Sequence, residues 1–460
     1  MGKSSMALVI FLDVVALFLF VKRKETTTFL NGQFLKHSTL FLVGFLIVHF
    51  QYIIDYLIDN VDDTNFFIWV NRSVVIRGLL ISSLGLISFL LGYLIFNSKK
   101  KKLSKRNKEI TVTTTGLKIA ASVSLLIYFL TVNPLYLLGY YGSEEMGSTA
   151  TYAVLIFTLT ISAIIIQTCR NLRLNNLTNL SFRFYFKELG VITLSLIGVY
   201  LLSVLLSGDR GPIITMSLTF LTGYLFVSGK KISFKFGVIA VFCGALAISI
   251  LGEVRNQSKD MTFSSKIQDA LDQKKAGNES SFLPPTQELA TSIRTLHAAI
   301  NYVPEQEGFF LGRFQFQQVA VSIPFARFFL EQVYKSNDIK YAGSAFYITW
   351  INQGNYPNSG DGTSCVVDFY LDFGVFGVMV GMFLFGYMTR FMETAFFSGE
   401  PISLFLHVLS VVYISDAIYI SRSSVLFELK YVIWTFAILY LNKMIFKKTS
   451  VKSFATTMSL

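Results

Sequence analysis

Charge is scarce in this chain: Asp, Glu, Lys and Arg make up 15% of its 460 residues, against 53% hydrophobic. With a mean hydropathy of +0.54, that composition excludes a soluble globular protein of this length and puts the chain in lipid. Cysteine is almost missing. Cys169, Cys243 and Cys365 show no C-x-x-C spacing, and the first two fall inside apolar runs, so neither a structural disulfide nor a zinc site is expected. There is no His-Glu-x-x-His and no Gly-x-Ser-x-Gly, and the stretch Gly223 to Lys231 has the wrong spacing and no Ser or Thr for a P-loop. Zincin, serine-hydrolase and nucleotide-hydrolysing chemistry are therefore not expected. No short-period repeat and no low-complexity linker divide the chain, so residues 1–460 read as a single polytopic membrane domain.

What the sequence does hold is apolar runs of spanning length. A membrane helix needs about 20 mostly apolar residues, and about eleven runs qualify by hydropathy. They cover 6–21, 38–58, 73–96, 117–138, 150–169, 188–206, 211–227, 234–251, 366–388, 401–420 and 425–442. The expected fold is an all-α integral membrane protein of about eleven transmembrane helices. The first run has no small-residue cleavage site and is followed by Lys22, Arg23 and Lys24, so it reads as a retained helix. The formal net charge of +12 would suit nucleic acid, but the Lys and Arg residues sit in loops between runs, as the positive-inside rule expects. Alternating the loops leaves about 23 basic residues on one side and about four in the short segments of the other. That distribution places the N-terminus outside and the C-terminus in the cytoplasm.

The stretch 252–365, between the eighth and ninth spans, is polar enough to leave the membrane and forms one large external loop. Within it Pro285 to Val303 reads as an amphipathic helix, with Leu289, Ile293, Leu296 and Ile300 on one face. Arg294 and Asn301 share the opposite face, and His297 stands at its border. Phe314 to Tyr334 is apolar but interrupted by Pro324 and Arg327, which suggests an interfacial or re-entrant segment.

Unusual polar residues collect on the outer side. Arg210 lies in the turn Ser207-Gly208-Asp209-Arg210-Gly211-Pro212, just before a span whose N-terminus favours anions. Arg255 follows the eighth span in Gly252-Glu253-Val254-Arg255, and Arg422 occupies the turn Ser421 to Ser424. Guanidinium groups stay protonated and match phosphate oxygens bidentately, so three of them at separate helix ends could form a metal-free diphosphate clamp. Taken one at a time, each is equally well explained as an interfacial anchor or as a partner of Asp209 or Glu253. Ser364, Asp368 and Asp372, four apart, line one face at the top of the ninth span, after a turn that contains Asp361. Carboxylates entering a membrane are functional or paired. His297, Glu253 and Asp209 are the candidate general bases. Asp59, Asp62 and Asp63 form a first-loop acidic cluster that reads more simply as a solvated turn than as a metal site.

At these residues the chain resembles the O-antigen polymerases, also called oligosaccharide repeat unit polymerases (Wzy-type). The resemblance rests on Gly208-Asp209-Arg210-Gly211-Pro212, Gly252-Glu253-Val254-Arg255, the single large outer loop and Gly360 to Gly377 with Tyr370-Leu371-Asp372-Phe373-Gly374. It implies a membrane glycosyltransferase of the GT-C type in the bacterial cytoplasmic (inner) membrane, working on its periplasmic or exterior face without metal or other cofactor. Donor and acceptor would be oligosaccharide units on undecaprenyl diphosphate, polymerised into O-antigen, capsule or exopolysaccharide. The resemblance further implies that Arg210 and Arg255, with Arg422 as a weaker member, hold the diphosphate and that His297 or Glu253 deprotonates the acceptor; Arg294 joins the candidate diphosphate ligands and Asp209 the candidate bases. Asp361, Ser364, Asp368 and Asp372 would bind sugar or hold the structure. Implied partners are the bilayer, a flippase and a chain-length regulator, and no nucleic acid. A ligase of the same architecture, or a transporter of lipid-linked sugar, would share much of this layout.

Overall fold

A computed structural model describes residues 2–23, 33–96, 111–137, 146–175, 177, 180–207, 209, 211–233, 235, 237, 239, 244, 283, 286–323, 326, 338–398 and 402–446. Among these the regular structure is helical, with fourteen helices of eight residues or more. They are α1 (Lys3–Lys22), α2 (His37–Leu57), α3 (Arg72–Ile95), α4 (Thr115–Thr131), α5 (Ser148–Leu174), α6 (Phe182–Leu189), α7 (Val191–Ser207), α8 (Gly211–Ser228), α9 (Ile293–Tyr302), α10 (Arg313–Val321), α11 (Ser344–Gln353), α12 (Cys365–Phe396), α13 (Leu404–Ile420) and α14 (Leu429–Ile445). Ten of the apolar runs coincide with helices, and all but four residues of the run 234–251 lie outside the described residues. Among the described residues six helices are long and apolar enough to cross a bilayer, or seven if the bent pair α6–α7 counts as one span. The chain is thus compatible with an integral membrane protein, as its composition requires.

Helices in lipid cannot gain from hiding apolar surface from water, so they associate through close backbone approach and polar contacts. Gly78, Gly85 and Gly92 of α3 are seven apart and so lie along one side of the helix. A Cβ on Gly92 would come within 1.9 Å of the Phe383 carbonyl oxygen of α12, and one on Gly386 within 2.0 Å of the Phe89 oxygen. No side chain fits between these backbones. The α3–α12 pair is accordingly the tightest seam in the bundle. α1 is different: most of its apolar residues, including Leu8, Phe11 and Leu19, are exposed. It is fixed to α3 by its one buried carboxylate, Asp13, which accepts a hydrogen bond from Ser83 Oγ at 2.6 Å.

Two breaks shape the bundle. Gly190, at φ +82°, turns α6 away from α7 by 92°. That geometry, with exposed Arg183 and Lys187, suits a helix lying at the interface before the chain enters a span. The second break lies inside α12, where Phe373 (φ −140°, ψ 16°) and Gly374 (φ 62°, ψ −150°) leave helical geometry. After the break about 22 residues remain, roughly 33 Å of helix, enough to cross the hydrocarbon core alone. The first half is therefore free to belong to the capping layer.

That layer is built from α9, α10 and α11. Ile293, Leu296 and Ile300 of α9 are buried against the bundle, as the periodicity of the sequence predicts, while Arg294 is only partly covered. The helix is shorter than the sequence reading, because a turn at Thr291–Ser292 separates it from Gln287–Ala290. α10 occupies the start of the Phe314–Tyr334 segment, most of whose remainder, with Pro324 and Arg327, lies outside the described residues. The opposite end of the bundle holds a buried polar cluster: Glu393 accepts from the Ser38 N–H at 2.6 Å and from Tyr93 OH at 2.5 Å, while Arg390 donates to Tyr93 OH at 3.0 Å.

Gly92→Leu is expected to abolish correct α3–α12 docking, leaving aggregated or proteolysed protein in detergent gel filtration, because overpacking against backbone has no flexible atom to absorb it. Gly198→Leu, where nothing lies within 4 Å of the built Cβ, is expected to elute like the parent.

Candidate functional site

Four aspartates proposed from the sequence lie at one end of the bundle, each held by identifiable donors. Asp209, in the α7–α8 turn, accepts from the Gly211 N–H at 3.2 Å and so caps the first turn of α8. Asp361 lies 3.5 Å from Arg294 Nη2, accepts from Asn352 Nδ2 at 2.9 Å, and has its own N–H on Thr349 Oγ1 at 3.0 Å. Asp368, fully buried, accepts from Gln318 Nε2 at 2.7 Å and Thr363 Oγ1 at 2.9 Å, and also meets Ser344 and Ser424. Asp372 accepts from the N–H groups of Phe314 at 3.1 Å and Gln315 at 2.9 Å, at the N-terminus of α10. Ser364 caps α12 through the Val367 N–H at 3.3 Å.

The break in α12 and the α10 cap are one construction. Interrupting a helix orphans the carbonyls of its preceding turn. Here the Leu371 and Asp372 carbonyls accept from the N–H groups of Phe310 and Leu311 at 3.0 and 2.9 Å. Backbone and carboxylate thus tie the loop segment 310–315 to the half-helix from both sides.

Arg294 and His297, one turn apart on α9, face different surroundings. The Arg294 guanidinium stacks 4.1 Å from the Phe67 ring centroid and pairs with Asp361. His297 is wholly enclosed: its Nδ1 is 2.9 Å from the Ile68 carbonyl, its ring lies beside Trp69 and against Gly78, and its Nε2 has no partner among the described residues. With a carbonyl opposite Nδ1, that nitrogen carries the proton and Nε2 the lone pair. The sequence suggests a histidine titrating near neutrality, but burial pulls the imidazole down to about 4, only partly offset by the Ile68 hydrogen bond. It is therefore neutral at ordinary pH.

The turn carrying Arg422 is joined to this assembly. Ser424 reaches Asp368, the Cys365 thiol faces the Ser421 carbonyl at 3.8 Å, and Arg422 itself is partly exposed. Among the described residues no carboxylate pairs with its guanidinium. From Arg294 through Asp361, Thr363, Asp368 and Ser424, a continuous series of contacts and short chain links runs to Arg422. Arg210, Arg255 and Glu253 lie outside the described residues.

A second polar group adjoins the turn and was only partly legible in the sequence. Thr215 Oγ1 on α8 donates to Asp416 Oδ1 on α13 at 2.7 Å, and Thr219 meets Ser415 at 2.9 Å. Asp416 lies beside Glu428, with Lys430 as the neighbouring cation. The sequence marks Asp416, Glu428 and Lys430 as rare ionisable residues in spans, but not their threonine partner. Thr215 lies one helical turn beyond Gly211, so this group joins the α7–α8 turn to the Arg422 end of α13. In the loop, Glu307 accepts from Tyr341 OH and Tyr347 OH, both at 2.7 Å. Burial and that carboxylate push the Tyr341 phenol up to about 12.

No group of three or more His, Cys, Asp or Glu residues among the described positions could hold a metal ion. The chemistry on offer is anion binding by guanidinium and helix N-termini, beside a neutral imidazole and several hydrogen-bonded carboxylates.

The His297 environment sets a pH dependence. Its folded value of about 4 lies below the ordinary 6.5, so on acidification the unfolded chain takes up a proton before the folded one does. Stability is expected to fall between pH 6.5 and 4, by up to about 3 kcal/mol if this group acts alone. Melting temperatures of parent and His297→Gln across that range test this, and a parallel decline in the variant would exclude His297 as its source. Asp372→Ala removes the cap of α10 and is expected to cost roughly 1–2 kcal/mol, seen as earlier proteolysis within 310–323.

The family model of O-antigen polysaccharide polymerase Wzy matches residues 4–453 of the chain. Comparisons with curated proteins and with solved structures give no significant match.

Proposed function

Because the chain belongs to the family of O-antigen polysaccharide polymerases Wzy, multi-pass membrane proteins that join lipid-linked oligosaccharide repeat units, we propose the following chemistry for it. The donor glycan sits on undecaprenyl diphosphate at the non-cytoplasmic face of the bacterial inner membrane. A hydroxyl of the incoming unit's terminal sugar attacks the donor's anomeric carbon. The bond from that carbon to the diphosphate oxygen breaks, its electron pair leaves with the carrier diphosphate, and the hydroxyl proton passes to a base. No metal is required if guanidinium groups neutralise the departing diphosphate, and preorganised donors of this kind are often the largest catalytic contribution.

The observation that carries this reading is the contact series from Arg294 to Arg422 at the same end of the bundle as the Asp209 turn. Arg210 and Arg255 are proposed as the main diphosphate ligands, with Arg422 and Arg294 completing the cationic set. Asp361, Ser364, Asp368 and Asp372 fix the frame around them or touch sugar. Glu253, His297 and Asp209 are the candidate bases. Neutral His297, with a free lone pair on Nε2, is equipped to accept a proton once substrate opens its enclosure, whereas Asp209 is already engaged on α8. A chain-length regulator and a flippase are proposed partners on the basis of family membership alone.

Arg294 and His297 on one helix also suit a ligase that moves finished glycan to another acceptor. The broken α12 brings up transport, since transporters interrupt helices at the bilayer midplane. Here the helix beyond the break is long enough to span by itself, which favours a break at the boundary and a fixed site there.

Reconstituted protein given purified lipid-linked repeat units, without any gradient, is expected to yield a glycan ladder. Arg210→Ala should lower the rate by about 10²–10³ and, in cells, shift product from long polysaccharide to single lipid-linked units while the protein stays in the membrane. Unaltered ladder length in that variant would sink the diphosphate-clamp assignment, and transfer only to a foreign acceptor would identify a ligase.

A further inference from the structure

Beside the Arg294–Asp361 pair an open cleft of about 370 Å³ is lined by Tyr302, Trp350, Ile351, Gly354 and Asn355. Tyr302 ends the helix that carries Arg294, and Trp350 lies one turn before Gly354 on α11 and its following turn. The rings of Tyr302 and Trp350 stand nearly perpendicular, 5.7 Å apart between centroids. Trp350 is held from behind: it stacks on Tyr347, at 5.9 Å and 30°, and Tyr347 is clamped by Glu307. Its indole N–H is committed to Asn355 Oδ1 at 2.9 Å, which orients the amide. Asn352, next to the cleft, bridges directly to Asp361. Tyr356 beyond it is 93% exposed.

Fixed aromatic rings meeting at an angle, with amides at their edges, have a definite chemical complement. The apolar C–H faces of a pyranose pack on the rings, and its hydroxyls exchange hydrogen bonds with amide groups, which both donate and accept. An apolar peptide or lipid tail would leave the amides unsatisfied, and the cation nearest the lining, Lys340 Nζ at 4.0 Å from the Trp350 ring centroid, is already paired with Asp338 at 3.7 Å rather than offered to an anion. We propose that this cleft is a glycan subsite, holding one or two sugar residues of the oligosaccharide whose reacting end lies toward Arg294. The assignment rests on the polymerase reading for which glycan binds, but sugar binding itself does not depend on it.

The test uses full-length protein in nanodiscs and, as probe, the producing cell's own surface glycan, released from its lipid by mild acid. Titration should change tryptophan emission and give a measurable Kd, and Trp350→Ala should weaken it at least tenfold. Asn355→Ala, on an exposed turn, should weaken it several-fold while the melting temperature stays at the parental value. In reconstituted polymerisation both variants should raise KM for the repeat unit far more than they lower kcat. If the parent polymerises but the two variants bind and polymerise as it does, the subsite is wrong and the polymerase reading survives. If glycan binds through Trp350 but no ladder forms, the reverse holds.

Discussion

The arrangement depends on one interrupted helix. At Phe373–Gly374 the α12 ladder stops, and the two carbonyls set free are taken by Phe310 and Leu311, while the Asp372 carboxylate takes the first N–H groups of α10. Unsatisfied backbone groups near lipid cost several kcal/mol each, so the break persists only with the loop docked, and the loop docks only where the break offers acceptors. This mutual requirement fixes the height of α10 above the bundle, and with it Gln318, Asp368 and the Ser424 turn. The capping layer is thereby positioned by polar pairing, while the membrane layer below is positioned by close contact of glycines on α3 and α12.

How much of this was written in the sequence divides along the same line. Apolar runs made the helices legible, because burial in lipid leaves a signal in every residue of a run. The periodicity of α9 was equally plain from Ile293, Leu296 and Ile300. The break in α12 was not. Tyr370 to Gly377 is apolar apart from Asp372, glycine is common in membrane helices, and nothing local announces that a segment some sixty residues earlier supplies the missing donors. Asp368 and Asp372 were correctly grouped on one face by their spacing, but their partners, Gln318, Thr363 and the Phe314 and Gln315 N–H groups, come from distant chain. Likewise Thr215 beside Asp416 depends on helix packing that no single sequence displays. The density of rings and amides from Tyr347 to Tyr356 stands in the sequence, but in a chain this rich in aromatics it carries little contrast.

His297 illustrates how environment alters a residue that composition can only name. A loop histidine would titrate near neutrality, yet burial against Gly78 and Trp69 keeps it neutral far into acid, against the opposing pull of the Ile68 carbonyl hydrogen bond. The absence of a side chain at Gly78 is what admits the ring: a Cβ there would lie 2.8 Å from its Cδ2. The glycine side of α3 thus serves two ends, admitting an imidazole at the capping layer and a backbone carbonyl of α12 near the other.

The aspartates at the capping end take mostly uncharged donors: Asp209 a backbone N–H, Asp368 hydroxyls and an amide, Asp372 two peptide groups. Arg422, by contrast, has no carboxylate partner among the described residues. Arg294 shares Asp361 with Asn352 of α11, so one carboxylate oxygen couples α9 to α11, and whatever drew the guanidinium away would leave that oxygen to the amide.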